Sequence, residues 1–156
     1  MKNIIFTCLL VAVASAQVAQ AKPKNISFVS HRTSFQKVDL GESGLSVGDI
    51  VTTQGDLLDA KTNVIIGAFA GRHIVIGADI PGGTEKRDMI IQDILPGGTV
   101  ISVTIADFNT ATNFPISRQD RVIVGGTGKY NGAKGIRYTD PIEGKPGDAL
   151  VNLKFK

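Results

Sequence analysis

Tryptophan is missing, cysteine occurs once, and histidine and tyrosine occur twice each in 156 residues. The lone thiol, Cys8, can form no internal disulfide. His31 and His73 are the only histidines, and without a cysteine cluster they fall short of the ligand set that zinc needs, so no metal site is expected. Aromatic residues make up only 6% of the chain, the formal charge is +3, and lysines and arginines are dispersed. Such a chain lacks both the basic stripe and the aromatic stacking platform of a nucleic-acid reader. Beyond the N-terminal segment no stretch carries a helical hydrophobic period.

The longest apolar run lies at the start. Lys2 supplies a positive end, residues 4–13 an apolar stretch, and Ala19-Gln20-Ala21 a small-x-small cleavage site. This pattern predicts an export signal over residues 1–21, cut after Ala21, with export to a periplasm or beyond the cell. The run is shorter than the roughly 20 residues of a spanning helix, so no membrane anchor is expected. Phe6 and Thr7 ahead of Cys8 do not form a lipid-attachment site. Residues 22–156 then make one domain without a thiol nucleophile or a disulfide. Its stability rests on sheet closure, core packing or oligomerisation.

Period-two alternation bounded by turn residues predicts about eight strands, near 26–38, 49–58, 64–78, 88–95, 99–108, 118–124, 133–139 and 148–155. Short sequential connections favour an up-and-down closed sheet, which leaves no exposed edge. Several strands are apolar on both faces, such as Ile90 and Ile94 against Met89, Ile91 and Leu95. A barrel with a wet exterior alternates more cleanly, so the excess predicts an interface between subunits.

Four glycines, Gly125, Gly126, Gly128 and Gly132, arranged around Tyr130, follow the β-branched run Val122-Ile123-Val124. A phosphate loop is excluded here: Ile123 stands where its first glycine belongs, Tyr130 follows Lys129 in place of Ser or Thr, and no helix comes next. The dinucleotide fingerprint fails at Asn131, and no cofactor is expected. The segment Gly125-Gly126-Thr127-Gly128-Lys129-Tyr130-Asn131-Gly132-Ala133-Lys134-Gly135 instead resembles the signature of the dirigent proteins and allene oxide cyclases. Val47-Gly48-Asp49-Ile50-Val51, Leu57-Leu58-Asp59-Ala60, Ile66-Gly67-Ala68-Phe69-Ala70-Gly71 and Leu95-Pro96-Gly97-Gly98-Thr99 extend the resemblance over most of residues 25–138. It implies an all-β fold, an eight-stranded antiparallel up-and-down β-barrel, usually a homotrimer with a small apolar cavity. Tyr130 and Lys134 then pack and cap the corner.

Each histidine has an arginine beside it, in His31-Arg32 and Arg72-His73. Strand neighbours face opposite ways. If the guanidinium groups take the solvent side, both imidazoles point inward, His31 with Thr33 and Phe35, His73 with Phe69 and Val75. In the allene oxide cyclases that this chain resembles, the returning strand carries Ala-Gly-x-Cys; here it reads Ala70-Gly71-Arg72-His73. His31 and Thr33 fall roughly where that family has an acid and an amide. The departure leaves the cyclase reaction itself unsupported, while two lumenal imidazoles can still position a polar group or shuttle a proton. A barrel histidine is more often a hydrogen-bonded core residue than a catalyst, and either histidine is open to that reading.

Asp93 and Asp107 share strand parity with apolar residues. Each is either a buried carboxylate of raised pKa or an exposed residue at a strand end. Ser30 and Ser117 lack a nucleophile elbow, and no carboxylate pair has a glycosidase context. The expected function is binding of a small apolar, amphipathic or phenolic-like molecule inside an exported barrel. Steered isomerisation or cyclisation is the reaction class open to it, with His31 and His73 as catalytic candidates and Thr33, Phe35, Phe69 and Val75 as ligand wall. The alternative is a non-catalytic structural or interaction barrel acting through its outer surface and loops such as 109–115. A lumenal cavity against a packed lumen separates the two.

Overall fold

Buried and exposed side chains alternate along most of the strands, and that alternation lets one sheet roll up and close on itself. The computed structural model describes residues 23–41, 43–79 and 81–156. The export signal predicted at 1–21 lies outside them. The strands are β1 (Ile26–Val38), β2 (Ile50–Asp59), β3 (Ile65–Asp79), β4 (Thr84–Leu95), β5 (Gly98–Asn109), β6 (Phe114–Pro115), β7 (Gln119–Gly126), β8 (Gly135–Pro141) and β9 (Asp148–Phe155). Each long strand pairs antiparallel with the next, and β9 returns to pair with β1. Eight strands therefore close an up-and-down barrel, as expected. The two-residue β6 is an addition that pairs only with the end of β5.

The eight expected strands all form, but β4 starts at Thr84 rather than near Asp88. Its first turn of alternation is charged: Glu85 and Arg87 face inward and are buried, so no apolar residue marks them as strand. Register shifts interrupt β1 at Thr33, β3 at Ile66 and Ile76, and β7 at Val124. Each inserts an extra residue or irregularity that bends the strand and can reverse which side chains face in.

The barrel has two unlike ends. At one, a core of Phe28, Leu57, Leu95, Val100, Ile123 and Tyr130 plugs the lumen. Tyr130 stacks on Phe155, with centroids 5.8 Å apart. The glycine corner crosses the 96–97 turn there. The Thr127 amide donates to Thr99 O at 2.8 Å and the Lys129 amide to Gly97 O at 2.8 Å. A Cβ on Gly128, which has φ 56°, would stand 2.1 Å from Gly97 O, so only glycine lets the two turns meet. At the other end, the loop at 39–49 is pinned by the buried Asp49 carboxylate. It accepts from the Leu40 and Ser46 amides, both at 3.0 Å, and pairs with Lys37 at 3.1 Å. The Leu40 amide first, then the Ser46 and Lys37 donors, hold that carboxyl well below the usual carboxylate range.

Gly128 and Gly132 separate the two penalties of a side chain at this corner. Gly132 also has positive φ, 69°, but open space around it. Gly132→Ala is expected to lose only the conformational term, about 1–2 kcal/mol. Gly128→Ala also meets the backbone of the crossing turn, and its loss in urea unfolding is expected to be clearly larger; equal losses would contradict this packing.

Candidate functional site

Past the apolar plug the inner face changes character, because arginines replace aliphatic residues at the inward positions of β4, β7 and β8. Arg87, Arg121 and Arg137 are buried there, and Arg32 of β1 joins them half-buried. Burying a guanidinium requires partners, since it keeps its proton and cannot shed its charge. Arg137 has them: Nε and Nη2 donate to the two oxygens of Asp93 at 2.7 and 3.1 Å, and Nη1 donates to Thr139 Oγ1. Arg87 donates to Glu85 Oε1 through Nε at 2.7 Å and lies 4.2 Å over the Phe108 ring.

The other two carry no carboxylate. Arg121 donates to Gln119 Oε1 through Nη2, while its Nε is buried without a partner. Burial, and then the neighbouring Arg137 charge, disfavour the protonated form of Arg121, partly offset by Asp93. Arg32 lies between the rings of Phe35 and Phe114, 5.3 and 5.5 Å from their centroids, and donates to Asn113 O at 2.7 Å. Neither arginine forms an ion pair among the described residues.

These groups surround a cavity of about 60 Å³ whose walls include Arg121, Arg137, His73, Phe69, Phe108 and Phe114. A Cβ on the neighbouring Gly71 would lie 2.5 Å from Ile91 Cδ1, 2.8 Å from Thr53 Oγ1 and 3.2 Å from His73 Nε2, so glycine leaves room for three side chains of the cavity wall. The cavity is roofed where the sheet is weakest. β5 pairs with β7 only from Val100 to Val103, and beyond that the chain swings out through β6. That excursion brings Asn113, Phe114 and Pro115 over the opening. Asn113 latches it, with its carbonyl on Arg32 and its Oδ1 accepting from Arg87 Nη2 at 2.9 Å.

His73 is 3% exposed and both ring nitrogens lack a partner. Its ring tilts against Phe108 with centroids 5.6 Å apart. Burial, then the charges of Arg121, Arg87 and Arg32, push its pKa down to about 3. At neutral pH it is therefore an uncharged imidazole that offers one donor and one acceptor to the cavity. That state suits positioning of a polar group better than abstraction of a proton.

The structure divides the two histidines. His73 faces inward with Phe69 and Val75, and Arg72 is exposed, as the parity argument expected. His31 does not face inward: its side chain is 49% exposed and its Nδ1 lies 2.6 Å from Asp148 Oδ1. The inward residues of β1 are Phe28, Ser30 and Arg32, because Asn113 and two aromatic rings satisfy the guanidinium that was assigned to solvent. Thr33 is the extra residue at the register shift and is exposed. The shift returns Phe35 to the inner side, where it meets Arg32 and Arg87. Phe69 lines the cavity, whereas Val75 is buried on the inner face but does not. Asp93 is fully buried in its arginine pair, and Asp107 is exposed and pairs with Lys86 at 2.8 Å. The sequence reading puts Arg32 in solvent and gives Arg87, Arg121 and Arg137 no part in the site, although Arg121 shares strand parity with Ile123, a period-two signal that reads it as inward.

No family model matches the chain. Among solved structures the barrel is similar to a pyocyanin demethylase, with a TM-score of 0.66 and 18% identity over 85% of this chain and 100% of that one. It is similar to a Diels–Alderase from Streptomyces koyangensis, with a TM-score of 0.64 and 20% identity over 85% of this chain and 63% of that one. A pterocarpan synthase dirigent protein gives 0.61 and 16% identity over 85% of this chain and 82% of that one. At these identities the likeness is one of fold alone.

The Asp93–Arg137 pair is the test of how the lumen carries its charge. Asp93→Asn strands a buried guanidinium and is expected to cost about 3–5 kcal/mol in urea unfolding. The double variant Asp93→Leu, Arg137→Met is expected to recover much of that loss. A single-variant loss within about 0.5 kcal/mol of zero would contradict the buried pair.

Proposed function

We propose that the chain is an exported, trimeric binding barrel whose lumen receives one small amphipathic molecule. The observation that carries this reading is the roofed cavity, with aromatic and aliphatic walls from Phe69, Met89, Ile91 and Phe108 on one side and unpartnered donors on the other. A ligand body packs on the apolar wall and His73 holds its polar end. Any reaction follows from the shape of the lumen: fixing one conformer lowers the entropic part of a barrier to isomerisation or cyclisation without a nucleophile. A Diels–Alderase and a pterocarpan synthase among the similar folds support that class of chemistry. His31, outside the lumen, has no part in it.

The free space of about 60 Å³ is far below the roughly 300–1,000 Å³ of pockets that engulf a drug-sized ligand. Uptake therefore displaces the roof residues Asn113 and Phe114. The same small volume favours the second reading, a packed barrel whose function lies on its outside. The outside supports assembly in both cases. Ile90, Val103, Val122 and Ile136 stand directly opposite one another across β4, β5, β7 and β8, and Val122 is 52% exposed. An apolar row of this kind calls for a covering subunit.

Native mass spectrometry of residues 22–156, after incubation with an extract of lipids and aromatic metabolites, tests the reading. The expected result is a trimer with a retained small mass, and dissociation to monomers in Val122→Lys. A species free of ligand across varied extracts would favour the packed barrel, and a wild-type monomer would overturn the assembly.

A further inference from the structure

We propose that the lumen is an anion site, and that the ligand it takes carries an oxyanion, in the first instance an aromatic carboxylate. This deepens the binding-barrel reading and rests on it. Four guanidinium groups, of Arg32, Arg87, Arg121 and Arg137, gather at this end of the lumen, where the acids facing them are Glu85, held by Arg87, and Asp93, held by Arg137. The Lys37–Asp49 pair at the rim is self-compensating. Arg121 and Arg32 are left over, and both line the cavity. Arg121 is 5% exposed, with a buried Nε that has no acceptor, and His73 beside it has two nitrogens without partners. A protein interior does not carry an uncompensated guanidinium without cost, and removing the cost takes a negative charge.

Two features fit a carboxylate in particular. A guanidinium edge is planar and matches two carboxylate oxygens side by side, and charge-assisted bonds of this kind are about twice as strong as neutral ones. The neutral His73 ring adds an N–H donor without adding a charge that would need its own partner. The walls fit an aromatic body: Phe69 and Phe108 face the cavity together with Met89 and Ile91. Asn113 has the part of a stand-in. Its two oxygens accept from Arg32 and Arg87, so the roof meets two of the arginines with neutral acceptors until an anion replaces it.

Benzoate and benzamide are matched probes, alike in shape and different in charge. Binding to the ligand-free barrel is read by amide chemical-shift changes on the lumenal strands and by calorimetry. The expected result is a preference for benzoate of about tenfold or more, lost in Arg121→Met and retained in Arg72→Met, which changes an exposed arginine of the outer face. Arg121→Met removes a buried charge, so its melting temperature without probe is expected to equal or exceed that of the wild type. Equal binding of both probes by the wild type would overturn the anion inference and leave the binding barrel standing. Absence of binding by either probe would overturn both. A benzoate preference that survives in Arg121→Met would overturn the assignment to Arg121.

Discussion

The interaction on which the rest depends is the bidentate pair between Arg137 and Asp93, closed on both carboxylate oxygens inside the sheet. A barrel of this size is ordinarily filled by apolar side chains. Here a guanidinium from β8 meets a carboxylate from β4, two strands that are not neighbours in the sheet, and ties opposite walls together through the lumen. Once that pair is satisfied, β4 can carry Glu85 and Arg87 inward as a second pair without breaking its alternation. What the pairs leave over gives the lumen its character: two arginines, and a histidine kept neutral by its burial first and by the nearby arginine charges second.

The two ends divide the labour between stability and binding. The apolar plug and the glycine corner form the end where sheet closure is strongest, and a side chain at Gly128 has no place to go. The arginine end is roofed by the excursion around β6, and it coincides with the short pairing of β5 with β7. A site that must open belongs at such a place, where few ladder bonds have to break. Register shifts serve the same end. The one in β1 lets Arg32 and Phe35, three positions apart, both face inward and stack on each other.

Much of the architecture is legible in the residues. Period two marks the eight strands, and the run from Gly125 to Gly135 marks the corner. Asp93 shares parity with Met89, Ile91 and Leu95 and is inward, one of the two placements its position leaves open. Illegible was whatever depends on a partner far along the chain. Whether an arginine faces in is settled by Asp93 for Arg137 and by Asn113 for Arg32, and neither pairing is visible from local alternation. The same rule misplaced His31. Burial cost sends a lone guanidinium outward, but Arg32 is not alone, and turning it inward turns His31 out to Asp148.

His73 reports most directly on the central claim, that the lumen holds an excess of positive charge. A ¹³C–¹H titration of the imidazole, with His31→Ala leaving a single histidine signal, measures its pKa in the ligand-free barrel. The account predicts a ring that stays neutral to about pH 3, well under the ordinary 6.5, and a rise when an anion binds. The unfolded chain takes up that proton first, so the stability owed to His73 is complete above about pH 6.5 and is lost as pH falls towards 3. A midpoint near 6.5 in the folded protein would mean that neither burial nor the arginine charge acts on the ring, and would contradict the account.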